Sequence, residues 1–204
     1  MKKSSIYSIM ATTLFSTSLL TGYALAQSGT STDLTGKNFT ADDVVQALNI
    51  PVRGIGTDCS AEQAEMDRQT RGINSVPSTA EEVPALKPMK TASVSATFGK
   101  GSDQLTPAAQ STLSTVATAL KSQELKNQCF QVAGHTCDLG DDAYNMTLSQ
   151  RRAAAVKSFL VAQGVNGNRL VTTGFGEVSP LTDNSSEESR RKNRRVDLGA
   201  LPPN

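Results

Sequence analysis

The stretch Gly134–Leu160, GHTCDLGDDAYNMTLSQRRAAAVKSFL, constrains the fold more than any other part of the chain. Its second half has the periodicity of a helix. Counting from Leu148 at about 100° per residue, Ala155 falls at about −20°, Phe159 at about +20° and Val156 at about +80°. An apolar stripe of that width faces a core. Arg152 falls at about +40° and Asn145 at about +60°, both inside the stripe. A guanidinium turned inward needs an anion, because its charge and five donors are costly to bury unpaired. The anion can be internal or a ligand. The plainer alternative is an arginine whose stem packs while its head reaches water.

The elements around this helix alternate. Residues 92–98 predict a strand with Val94, Ala96 and Phe98 on one face, and 99–102 a loop. Thr106-Pro107 opens a helix whose stripe is Leu113, Val116, Ala117 and Leu120. Residues 129–134 predict a second strand. The Arg152 helix runs from about Asp142 to Gln163, with Gly164 as its stop. Residues 169–174 predict a third strand, a short helix lies near Glu187, and 195–199 form the last strand. The order β-α-β-α-β-(α)-β implies an α+β fold over residues 89–200. It is a two-layer sandwich with helices on one side of a mixed four-stranded sheet. Residues 201–204 are a tail.

The N-terminal part reads differently. Lys2 and Lys3, the apolar run from Ile9 to Leu20 and Ala24-Leu25-Ala26 make an export signal over residues 1–26, with Gln27 as the mature start. The apolar run is short and interrupted for a membrane span, so the mature chain is expected to hold no transmembrane segment. No cysteine lies near the cleavage site, so a lipid anchor of the lipoprotein kind is not expected. Residues 27–38 are rich in Ser, Thr, Gly and Asp and read as flexible. Thr40 caps a short helix, Ala41 to about Leu48, and Ser60 opens a second that runs to about Arg71. The second helix is mostly polar and is not expected to form its own core. Residues 72–88, with Pro77, Pro84 and Pro88, read as a linker. Residues 27–88 are too short for an outer-membrane barrel and lack its alternation.

Export sets the charge and redox context. Without Lys2 and Lys3 the 20 basic residues fall to 18, against 19 acidic ones. A near-neutral exported chain offers nothing to nucleic acid. Cys59, Cys129 and Cys137 would meet an oxidising compartment, and three is an odd number. Eight extended residues between Cys129 and Cys137 span about 26 Å, too far for a bridge. That leaves Cys59 with Cys129 or with Cys137.

The run Asn145-x-x-Leu148-Ser149-x-x-Arg152-Ala153-x-x-Val156-x-x-x-Leu160 resembles the signature of the OmpA-like peptidoglycan-binding domain. Gly134-His135-Thr136, Gly140, Gly174-Phe175-Gly176-Glu177, Pro180 and Asn193-Arg194-Arg195-Val196 resemble that family too. The resemblance implies a periplasmic domain, associated with the cell wall or outer membrane, that grips the diaminopimelate of the wall's stem peptides. The free end of diaminopimelate carries an ammonium and a carboxylate on one carbon. A planar guanidinium suits the carboxylate, since it can bond both oxygens. The resemblance assigns that role to Arg152 and the ammonium to an aspartate, but Cys137 stands in the aspartate's place. Asp138 is the nearest substitute, with Asp141 and Asp142 behind it. Thr136 and Asn145 are further candidates for the pocket, Asn145 with an internal bond to residues 134–140 as its alternative. Arg194 or Arg195 is expected at the pocket edge, with Arg195 carried as the site residue.

Two function classes follow. One is a wall-binding module, with residues 27–88 holding an envelope partner. The other is a structural or interaction protein whose pocket has weakened or lost wall binding because of Cys137, with Cys137 drawn into a disulfide. His135-x-Cys137-Asp138 is too close-set for a structural zinc site, and no Ser-His-Asp spacing stands out. No metal, cofactor or catalytic activity is expected.

Overall fold

A computed structural model describes residues 30–35, 38–49, 58–71, 77–80, 83, 88, 90–94, 98 and 101–202. The expected export signal of residues 1–26 lies outside them. The strands are β1 (Thr30–Asp33), β2 (Lys90–Val94), β3 (Phe130–Gly134), β4 (Leu170–Gly174) and β5 (Val196–Ala200). The helices are α1 (Ala41–Leu48), α2 (Ser60–Arg71), α3 (Pro107–Leu120), α4 (Asp142–Ala162) and α5 (Glu187–Asn193). A 3-10 turn, Gly167–Arg169, leads into β4.

The sheet is mixed and open, in the order β1-β2-β5-β3-β4. β1 runs parallel to β2 and β3 parallel to β4, while β5 is antiparallel to both β2 and β3. The α+β class of the sequence reading holds, but the sheet has five strands rather than four. The extra strand is β1, inside a stretch read as flexible. Its residues, Thr30-Ser31-Thr32-Asp33, carry no apolar alternation. Pairing with β2 alone makes it a strand, and burial of Leu34 ties down its end. The expected strand from Ala92 to Phe98 ends at Val94; Phe98 forms only an isolated bridge with Leu105.

One face of the sheet carries the main core. Ala92, Val94, Phe130, Val132, Leu170, Val196 and Leu198 meet Leu113, Val116 and Leu120 of α3 and Val156 and Leu160 of α4. α1 joins this core through Val44, Ala47 and Leu48. It is capped as expected, with Thr40 Oγ1 accepting from Asp43 N–H and the Asp43 carboxylate accepting from Thr40 N–H.

Strand alternation sends the other side chains to the reverse face. Ser93, Gln131, Thr173 and Asp197 are buried there although polar. The chain's own N-terminal part covers them. Pro88 lies so close to Gly199 that a Cβ there would sit 2.5 Å from the proline ring. Met66 of α2 packs with Cys59, Cys129, Val171 and Leu201 in a second apolar cluster. The mostly polar α2 therefore shares a core instead of making one. Cys59 and Cys129 are disulfide-bonded, with their Cα atoms 6.3 Å apart. Gln63 Oε1 accepts from the backbone N–H of Thr172 at 2.8 Å, so α2 also blunts the β4 edge. The two helices expected within residues 27–88 are present and built into the fold, and only the reading of 27–38 as flexible is corrected, by β1.

Two close approaches fix α4 on the sheet. A Cβ on Gly134 would sit 2.2 Å from the Ser149 carbonyl oxygen, and one on Gly174 2.6 Å from the Gln150 nitrogen. Only glycine lets backbone meet backbone at that spacing. Ser149 completes the seam: its Oγ donates to Met146 O at 2.7 Å and accepts from Gly176 N–H at 2.8 Å.

Candidate functional site

β2 and β3 end, and β5 begins, at the same end of the sheet. The first half of α4 lies across that end. Between them is a cavity of about 710 Å³. Its walls come from Phe98 and Gly101 beyond β2, the loop after β3, α4 from Tyr144 to Arg152, and Glu187 and Arg194 of the last helix and its cap.

Arg152 is 4% exposed and lines this cavity. Its Nε donates to the Ser102 carbonyl at 3.1 Å, and its Cζ stands 4.9 Å from the centre of the Phe98 ring. These contacts aim the guanidinium without neutralising it. No carboxylate among the described residues forms an ion pair with it. Burial lowers the Arg152 pKa, and the charge of Arg194 lowers it further. The site therefore holds two cations close enough to feel one another. Among the described residues no internal anion pairs with Arg152.

Asn145 does both things the sequence allowed. It lines the cavity, and its Nδ2 donates to the carbonyls of Cys137 at 3.3 Å and Leu139 at 3.2 Å and to Glu177 at 2.6 Å. It thereby shapes the loop after β3. Gly140 in that loop has φ +113°, which a side chain rarely tolerates. Thr136 lines the same wall, and its Oγ1 is buried with no hydrogen-bond partner among the described residues.

Cys137 is buried, free and in the cavity wall. Of the two pairings open to Cys59 in the sequence, only the one with Cys129 is formed. The expectation of a disulfide at Cys137 is thus corrected. β3 separates Cys129 and Cys137, one before its start and the other beyond its end.

Two expected site residues point elsewhere. Asp138 does not line the cavity. Its carboxylate takes Arg190 Nε at 2.8 Å and Arg190 Nη2 at 3.3 Å, and this partner lowers its pKa. Arg195 is also outside the cavity, and Arg194 is the edge residue. Arg195 precedes β5 and turns to Asp197, whereas Arg194, the C-cap of α5, turns to Glu187 and Cys137. Arg195 is held on the reverse face by Asp197 at 3.0 Å and by the Ser179 carbonyl at 3.2 Å. His135 joins that buried group, with Nε2 3.1 Å from Asp197 Oδ2 and its ring stacked on Phe175. Burial lowers the His135 pKa, so the ring is a neutral part of the scaffold. Among the described residues no group of three His, Cys, Asp or Glu is placed to hold a metal ion.

Arg194 links the two charge types of the site. Its Nη1 donates to Cys137 Sγ at 3.6 Å and its Nη2 to Glu187 Oε1 at 2.5 Å. Tyr144 lines the cavity, and its hydroxyl donates to the Gly101 carbonyl at 3.1 Å. Glu187 and Leu139 also line it and were not singled out as site residues. Nothing local marks them, because chain segments about 50 residues apart meet only in the fold.

Comparison with known proteins gives the same assignment of the region. Residues 97–194 match the model of the OmpA family. The chain is 41% identical over 106 residues to the probable lipoprotein YiaD of Escherichia coli, covering 52% of this chain and 48% of that protein. It is 38% identical over 101 residues to the peptidoglycan-binding protein ArfA of Mycobacterium bovis, covering 50% of this chain and 30% of that one. It is also similar to the crystal structure of the peptidoglycan-associated lipoprotein from Burkholderia pseudomallei. There the identity is 30%, the coverage 53% of this chain and 89% of that one, and the TM-score 0.47. The chain spans half or less of the length of these two curated relatives. No helix among the described residues is long and apolar enough to cross a membrane.

Proposed function

We propose, from the membership of residues 97–194 in the OmpA family, that this chain docks non-covalently on peptidoglycan. Docking uses the cavity between α4 and the end of the sheet. The observation that carries the reading is Arg152: a nearly buried guanidinium, aimed by Ser102 and Phe98, with no carboxylate bonded to it among the described residues. A carboxylate of the stem peptide supplies the missing anion, and its two oxygens match the planar fork. The carboxylate at the free end of diaminopimelate is the group we assign to it. The export signal of residues 1–26 places the mature chain in the periplasm, against the wall. An envelope partner of residues 27–88 would use the outer sides of α1 and α2, since their buried residues serve the chain's own core.

The test is co-sedimentation of the mature chain with purified sacculi, with free diaminopimelate as competitor. The wild type pellets and diaminopimelate releases it. Arg152→Ala leaves the protein folded and in the supernatant. Losing a charge-assisted pair costs about 1.5–3 kcal/mol, a weakening of about 10- to 100-fold. Pelleting that survives Arg152→Ala rejects this site.

A further inference from the structure

The corner of the cavity that should receive the ammonium is cationic. Cys137 stands there, and the nearest charged group is the Arg194 guanidinium, 3.6 Å from its sulfur. The acids around it are engaged elsewhere: Glu177 accepts from the Asn145 amide at 2.6 Å and does not line the cavity. Asp138 is paired with Arg190. Asp141 caps α4, accepting from the N–H groups of Ala143 and Tyr144. Glu187 lines the cavity, but its side chain is 71% exposed and bonded to the far nitrogen of Arg194. An ammonium beside Cys137 would thus meet a guanidinium, and no uncommitted carboxylate among these residues. A neutral amide meets no such opposition. Its N–H needs only a weak neutral acceptor such as the thiol, and its carbonyl oxygen can accept from Arg194.

We infer that this cavity accepts a carboxylate whose neighbouring nitrogen is acylated, and does not require the free ammonium. The inference rests on the wall-binding reading above and narrows its ligand. In a diaminopimelate wall that nitrogen is acylated wherever one stem peptide is joined to the next. The chain is then a reader of cross-linked wall rather than of free stems.

The test uses one soluble disaccharide-tetrapeptide muropeptide, before and after acetylation of its single free amine. Binding of each to the mature chain is measured by calorimetry, for the wild type, Cys137→Asp and Arg152→Ala. In the wild type the acetylated form binds within threefold of the free form, or more tightly. Cys137→Asp restores an anion in the corner and favours the free amine by about tenfold or more, while Arg152→Ala loses both ligands. Preference of the wild type for the free amine by more than threefold overturns the inference and leaves the wall-binding reading standing. Failure of the wild type to bind either form rejects both. If Cys137→Asp does not fold, the wild-type ratio decides alone.

Discussion

Removing the Cys59–Cys129 bridge with a Cys59→Ala, Cys129→Ala pair should destabilise the domain without touching the pocket. The bridge joins residues 70 apart in sequence. Loop-closure entropy for that separation is worth about 4 kcal/mol at 25 °C. The closed loop contains α2, β2 and α3, so without the bridge the unfolded chain gains freedom across half of the fold. The loss is a large part of the roughly 5–15 kcal/mol that a domain of this size has. Guanidinium unfolding followed by circular dichroism measures it. The midpoint falls, and the slope rises because the unlinked denatured chain exposes more surface. Wall binding stays within twofold, because five residues of β3, about 17 Å, separate the bridge from the cavity. A loss below about 1 kcal/mol, with unchanged slope, would refute the entropic account. Peptide mapping that finds Cys59 and Cys129 as free thiols in the native protein would refute the bridge itself.

Gly134→Ala should lower stability by at least 2–3 kcal/mol, since its Cβ would collide with the Ser149 backbone and push α4 off the sheet; an unchanged thermal midpoint would show that α4 sits farther out. Arg169→Met should cost about 3 kcal/mol or more. Its guanidinium donates to the carbonyls of Gln128, Leu120 and Leu125 at 2.9, 3.1 and 2.5 Å, and none of the three keeps this donor; denaturant titration reads the loss. Stability should also fall in two stages as pH drops. Burial lowers the His135 pKa in the fold, so its contribution is complete above the unfolded value near 6.5 and is lost as pH falls below it. Burial tends to raise Asp197, but His135 and Arg195 outweigh it and hold the carboxylate at about 2. Its contribution is present above about pH 4 and is lost as pH falls toward 2. Melting curves from pH 8 to 2 with Asp197→Asn as control check both stages; a flat profile between 7 and 5 would rule out the first.

Much of the outline was legible in local pattern. The helical spacing of Leu148, Ala155, Val156 and Phe159 located α4, although Ala155 and Phe159 are only partly buried, and the same arithmetic put Arg152 inside its buried stripe. The Thr40 capping box set the start of α1. Thr106-Pro107 opened α3 for the same reason, since these signals act within one turn of chain. β1 was illegible because a polar four-residue edge strand has no signature apart from its partner. Sequence proximity also misled on charge. Asp138 is next to Cys137 and Arg195 next to Arg194, yet each turns to a partner that only the fold supplies. Asp138 meets Arg190 and Arg195 meets Asp197, leaving Arg194 at the cavity edge.

The sequence by itself put one arginine inside the apolar stripe of a helix, through the 100° step of that helix. The family resemblance marked a cysteine where an acid was expected. Only the tertiary structure decided what surrounds them. It turned the nearby acids away from Cys137 and bonded Cys59 to Cys129. It also brought Arg194, from a segment 57 residues further on, up to the thiol. Contacts of that range depend on how strands pair and which way each residue faces. That is why the cationic character of the cavity belongs to the fold and not to any one motif.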